Sequence, residues 1–235
     1  MSWQSALPSQ YYDGPKRDFT YDPPQTPLHI ISQTEDYNII NKPAGLLSVP
    51  GKTHPDCAES RLRAEYPDSL TVHRLDMATS GLMVFARTAH AQRHLGLQFE
   101  NRQIQKTYLA RISGEPKDDS GLINEPLIAD WPNRPRQKIC YEHGKEAITE
   151  WQVLSRDDDS TLIQLSPKTG RSHQLRVHMA HLGHPILGDR IYAPDPIFKA
   201  ANRLLLHAHR LRFRKPSGGD WVEYTSECPF REGII

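Results

Sequence analysis

The sequence predicts a chain of mixed strands and helices, with its strands laid down as adjacent antiparallel hairpins. Three observations carry this. Residues 28–31 and 37–40 are apolar runs separated by a Thr34-Glu35-Asp36 turn, and the pattern recurs at 147–154 and 161–165 across Asp157-Asp158-Asp159, the spacing of hairpins. Between and after these runs lie three stretches with apolar residues every three to four positions, the helical period. Residues 82–86, LMVFA, are continuously apolar, as in a strand covered on both faces.

Length and composition set the frame. At 235 residues the chain can bury a substantial core. With 37% hydrophobic and 24% charged residues it has the make-up of an ordinary globular protein. No run approaches the eighteen apolar residues of a membrane span, and the first residues lack a basic-then-apolar signal, so no membrane partner and a cytoplasmic location are expected. Cys57, Cys140 and Cys228 are widely spaced and read as reduced thiols. The formal net charge is only +1, which by itself does not point to nucleic acid. Its distribution is less even: Arg203, Arg210, Arg212, Arg214 and Lys215 follow one another without an acid. Either a face of one sign or an ordinary solvated surface fits that pattern.

Residues 1–27 carry Pro8, Pro15, Pro23, Pro24 and Pro27 without an apolar period, and read as an extended arm whose Tyr11, Tyr12, Phe19 and Tyr21 could lie against the body. After the first hairpin, NKPAGLLSVP (41–50) is a loop suited to one wall of a cleft. A short helix follows at about 56–66. Thr88 is the expected N-cap of a helix through about Asn101, with Ala91, Leu95 and Phe99 on one stripe. Alternation over 103–112 puts Ile104, Lys106, Tyr108, Ala110 and Ile112 on one strand face. Residues 130–141 hold two prolines, exclude a helix, and flank Trp131 with Arg134, Arg136 and Lys138. Aromatics beside arginines suit unstacked nucleotides; a loop with its indole tucked inward is the plain alternative. In 167–183, Ser172 is the expected N-cap and Gly183 the stop, with Leu175, Met179 and Leu182 as the buried stripe. Arg176 leaves that helix about 100° round from Leu175, at the margin of the core. A strand at 204–213 and another at 221–225 close the chain as a last hairpin.

The chemistry centres on HRLDMATSGLMVFA, residues 73–86. Asp76 sits in a loop feeding straight into the buried strand, two residues from Arg74. From the residues alone it is either a turn cap paired with Arg74 or a reactive carboxylate. The whole fourteen-residue string resembles the catalytic motif of the RluA family of pseudouridine synthases, NKPAGL resembles a further motif of that family, and Lys106-Thr107-Tyr108 and the stretch 167–183 resemble two more. The resemblance runs from about Ile30 to near Tyr224.

That resemblance implies an α+β fold with a mixed, mostly antiparallel sheet, flanking helices and a central cleft. It implies isomerisation of uridine to pseudouridine in structured RNA without cofactor or metal, on a 23S rRNA hairpin and a tRNA anticodon stem-loop. It assigns Asp76 as the catalytic carboxylate, Tyr108 as the ring stacked on the base, Arg176 as the arginine paired with the aspartate and Leu175 as packing by the base. Arg74, Arg171, Trp131, Arg134, Arg136 and Lys138 become candidate RNA contacts. Asp76 lies too early for the S4 RNA-binding domain of many relatives, so 28–235 is expected to be one catalytic domain, and the protein a monomer. A non-catalytic RNA-binding protein of the same fold, or a synthase with one different target, would share much of this pattern. A metal-dependent hydrolase or deaminase is the rival suggested by His173, His178, His181 and His184. Those histidines fall only partly on one helix face and lack Cys or carboxylate neighbours at ligand spacing.

Overall fold

Strands claim the runs whose apolar side chains can be covered, and helices claim the amphipathic stretches between them. The computed structural model describes residues 17–232, which form two compact units. One takes residues 20–106 and 207–228, the other the residues between and the flanking ends.

In the first unit β1 (His29–Gln33) and β2 (Tyr37–Lys42) form the expected hairpin. α1 (Ala58–Glu65) begins at Cys57, whose Sγ accepts the Ser60 N–H while the Ser60 hydroxyl accepts the Cys57 N–H, a capping box built on a thiol. β3 (Leu70–Thr71) and β2 both pair antiparallel with β4 (Ser80–Ala86). Every residue of β4 is buried; shielding Leu82, Met83, Val84 and Phe85 contributes about 1.5–3 kcal/mol apiece. α2 (Ala89–Glu100) starts at Thr88, whose hydroxyl accepts the Ala91 N–H, and lays Ala91 and Leu95 on β4.

The second unit opens with β5 (Gln105–Ser113), continues with β6 (Ser120–Asn124) and the small pair β7 (Leu127–Ala129) and β8 (Gln137–Ile139), and then β9 (Ile148–Arg156) and β10 (Ser160–Pro167). β5, β10, β9 and β6 pair antiparallel in that order. α3 (Gln174–His181) packs Val177 and Ala180 against Leu127, Ala147 and Tyr192, and a short α4 (Asp195–Lys199) follows. The chain then returns to the first unit with β11 (Leu206–Arg214), parallel to β4, and β12 (Trp221–Thr225), antiparallel to β11.

Two local expectations change. The two prolines of residues 130–141 predict no helix, yet Trp131–Asn133 form one 3-10 turn, a single turn that Pro132 tolerates because its first donors have no helical partner. α3 is not capped by Ser172. His173 is the N-cap, in left-handed backbone at φ 56°, without a side-chain cap. Gln174 does the work instead: its Oε1 accepts the Thr169 hydroxyl and the Arg171 N–H, and its Nε2 donates to Ile148 O and Thr149 Oγ1. Among the described residues no helix is long and apolar enough to cross a membrane. The N-terminal half of the proline-rich arm, with Tyr11 and Tyr12, lies outside the described residues.

Candidate active site

Asp76 occupies the loop between β3 and β4, half-buried, and the main chain of its neighbours is held by hydrogen bonds from residues 42–48. Ser48 Oγ donates to Leu75 O at 2.7 Å and accepts the Leu75 N–H at 3.0 Å, so one hydroxyl fixes both polar groups of the residue before the aspartate. On the other side Met77 O accepts from Gly45 N at 2.9 Å and from Lys42 Nζ at 3.0 Å. Lys42 is fully buried, and its ammonium also donates to Pro43 O and Leu46 O, three donors for three carbonyls. The Thr79 N–H closes the turn on Asp76 O at 3.1 Å. The family-like NKPAGLLS string is thus a cradle for the aspartate loop.

His73 turns the chain out of the sheet. β3 ends at Thr71, opposite Phe85. His73 Nε2 accepts the Val84 N–H at 3.0 Å, standing in for the strand that has stopped. An accepting Nε2 requires the neutral ring; burial and the nearby Lys106 ammonium push the imidazole down to about 3. The ring stacks on Phe99 with centroids 4.5 Å apart. Burial likewise lowers the Lys106 ammonium to about 8. Arg74 points outward and is exposed.

In the other unit Arg176 is buried and makes a two-pronged ion pair with Asp189: Nε to Oδ2 at 2.8 Å and Nη2 to Oδ1 at 2.7 Å. Burial alone would raise the Asp189 carboxyl, but the Arg176 charge and the Ile191 and Tyr192 N–H groups outweigh it and hold it below the usual carboxylate range. Tyr192 lies beneath this pair, its ring 5.2 Å from the Arg176 guanidinium and 5.8 Å from that of Arg136. Its hydroxyl accepts the Gln137 N–H at 2.8 Å and meets His173 Nδ1 at 2.7 Å. One phenol therefore joins α3 to the β7–β8 pair. Leu175, beside Arg176, is buried. Tyr108 is half-buried in β5, opposite Leu165 of β10.

The indole of Trp131 is 66% exposed, which answers the inward alternative. Arg134 lies flat on it, 3.3 Å from the ring centroid. Lys138 is 3.7 Å from Asp130, and Arg171 Nε donates to Glu146 O. The four histidines are engaged in packing: His178 with Thr149 Oγ1 and Glu125 O, His184 with Ser113 O, His173 with Tyr192, His181 beside Glu125. Among the described residues no three His, Cys, Asp or Glu converge as metal ligands would.

Sequence reasoning missed Asp189, Tyr192, Lys42, Ser48 and His73. The signals were faint: Asp189 and Tyr192 fall in a Gly-Asp-Arg-Ile-Tyr string without apolar period, and the others are polar residues inside motifs whose other members drew attention.

Mostly antiparallel strand pairings with β11 laid parallel on β4, and a carboxylate loop cradled by a Lys-Pro-Gly segment, define a class that the comparisons identify. The model of the RNA pseudouridylate synthase family matches residues 36–181, and the chain belongs to that family. The dual-specificity RNA pseudouridine synthase RluA of Yersinia pestis is 52% identical over 86% of this chain and 99% of its own. The protein of that name from Escherichia coli K12 is 50% identical over 89% and 98%. Among solved structures, human RNA Pseudouridylate Synthase Domain Containing 1 is 28% identical, with a TM-score of 0.73 over 86% of this chain and 84% of that one. The protein is an RNA pseudouridine synthase of the RluA family, an isomerase with the pseudouridine synthase fold.

Proposed function

We propose that the protein acts on two RNA classes, a 23S rRNA hairpin and a tRNA anticodon stem-loop, with Asp76 as the acting carboxylate. The observation behind this is near-50% identity over almost the full length of relatives named dual-specificity synthases. Pseudouridine formation breaks the bond from ribose to uracil N1, turns the base and rejoins it through C5, and no atom is gained or lost. A target uridine stacked in folded RNA must first be extruded. Asp76 attacks the sugar or the base as its ionised form. Tyr108 stacks on the released uracil, and Leu175 packs beside it. Arg176 supplies the positive charge that pairs with the reacting aspartate, as the family resemblance implies. Arg74 holds the strand from which the base has left, while Trp131, Arg134, Arg136, Lys138 and Arg171 contact the flanking RNA. Residues 28–235 work as one catalytic domain with 1–27 as an extension, in a cytoplasmic monomer without cofactor.

Tritium release from RNA labelled at uridine C5 tests the reading, using one hairpin of each class. Wild type should release label from both, and Asp76→Ala from neither while still binding. Unchanged release by the variant removes Asp76 from the mechanism, and release from one hairpin alone reduces the specificity to a single target. Release that stops in chelator and returns with added metal would overturn the cofactor-free reading. Sedimentation as a dimer would overturn the monomer.

A further inference from the structure

The aspartate cradle has a second layer, and it comes from the proline-rich arm. Tyr21 is half-buried, and its hydroxyl donates to Asp56 O at 2.8 Å while accepting the Leu47 N–H at 3.1 Å. Leu47 is gripped at its other end too: its carbonyl accepts the Ala58 N–H at 2.8 Å, and the Ser48 carbonyl accepts from Glu59 at 3.1 Å. Both are orphan donors of the first turn of α1. Ser48 is the residue whose side chain fixes the N–H and carbonyl of Leu75, next to Asp76. The path from the arm to Asp76 therefore runs through Leu47, Ser48 and Leu75, by hydrogen bonds from Tyr21 to Leu47 and from Ser48 to Leu75 and by peptide bonds between. We propose that Tyr21 is a positioning residue for Asp76, acting through Leu47 and Ser48 to fix the loop on which the carboxylate is carried.

Other contacts show that this part of the arm is seated by design. Arg61 is held to Asp56 by two bonds of 2.7 Å, and its Nη1 donates to Pro24 O and Thr26 O at 2.8 and 3.2 Å. The Tyr21 ring lies 4.9 Å from that of His54. Gly45, at φ +87° in the cradle, lies beside Pro24: a side-chain carbon there would be in ordinary contact with the proline ring at 3.5 Å. The arm thus meets the cradle beside Gly45, whose N–H bonds Met77 O, and at Leu47, next to the Ser48 that bonds Leu75. Burial raises the Tyr21 hydroxyl above its ordinary pKa, so it stays protonated and able to donate through neutral and mildly alkaline pH.

The proposal rests on Asp76 being the reacting carboxylate, which Asp76→Ala tests by itself. The arm is tested in the full-length protein with Tyr21→Phe, which removes one oxygen and keeps the ring. Single-turnover tritium release at saturating RNA should fall roughly 3- to 30-fold, because small misplacements of a reacting group are costly. RNA affinity should stay within about twofold, the uncertainty of such a comparison, since the substitution touches no RNA contact. Ser48→Ala supplies a second background: if Tyr21 works through Ser48, adding Tyr21→Phe should slow release by much less than it does alone. A Tyr21→Phe rate equal to wild type overturns the proposal. So does a loss seen only as weaker RNA binding or as unfolding at the assay temperature, or a loss that multiplies fully with that of Ser48→Ala.

Discussion

His73 shows how one side chain can serve as backbone. Its ring nitrogen takes the Val84 N–H that a longer β3 would have taken, so the chain can leave the sheet without abandoning a buried donor. The arrangement works only with a neutral imidazole, and it ties stability to pH. The folded ring titrates at about 3, against about 6.5 for an exposed histidine. Between those values the unfolded chain binds the extra proton and the folded one does not, so stability falls as pH drops through the window. Above about 6.5 the contribution is fully present. His73→Asn retains an acceptor but has nothing to titrate; denaturant midpoints measured from pH 7 to pH 4 should decline less steeply than in wild type. Parallel declines would show that His73 is not the group responsible. Arg176 and Asp189 follow a different logic: two buried charges tolerate one another because the geometry is two-pronged and the carboxylate has further N–H donors from Ile191 and Tyr192.

At the scale of the element, the parallel contact between β4 and β11 depends on Gly81. It has φ +113°, and a Cβ there would stand 2.3 Å from Ala208 O and 2.6 Å from Ala208 N, backbone atoms that cannot move without opening the pair. Gly81→Ala should therefore cost on the order of 3 kcal/mol or more, combining a strained backbone with a steric clash, read as a lowered denaturant midpoint. A change under about 1 kcal/mol would mean the strands can slide apart at little cost. Elements marked by long-period patterns were legible beforehand: β4 as an apolar run, α2 by its Thr88 cap, β11 by arginines alternating with Leu211 and Phe213. β6 was not, because its outward residues alternate with only one buried side chain, Ile123, and neither was α4, a five-residue helix begun by prolines. The start of α3 misled for a physical reason. A cap is read from a hydroxyl before the helix, whereas here Gln174 reaches back from the first helical position to Thr169 and to Ile148 of β9, a pairing invisible to a local rule. Asp76, Tyr108 and Arg176 enter as proposed site residues through motif resemblance alone. Lys42, Ser48 and Asp189 act through main-chain atoms or a buried partner, which leaves no pattern in composition.

Over the whole molecule, a net charge of +1 must serve an enzyme whose substrate is a polyanion. Affinity then depends on local placement of cations rather than on total charge. The segment around Trp131 offers such placement: an exposed indole with Arg134 spread over its face, and Lys138 at the strand that follows. Stacking and phosphate neutralisation can be separated, because only the second releases counterions. For a single-stranded loop, log K should fall with log salt by about 0.7 for each phosphate neutralised. Arg134→Ala should flatten that slope by about 0.7, and Lys138→Ala by less, because Asp130 already shares its charge at 3.7 Å. Trp131→Ala should leave the slope alone and weaken binding by about 1–3 kcal/mol at every salt concentration. Fluorescence titrations of a labelled anticodon stem-loop across a salt series would read all three. Slopes unmoved by either cation, together with unchanged affinity after loss of the indole, would take this segment out of the RNA path. Recognition would then have to come from cations such as Arg74 and Arg171.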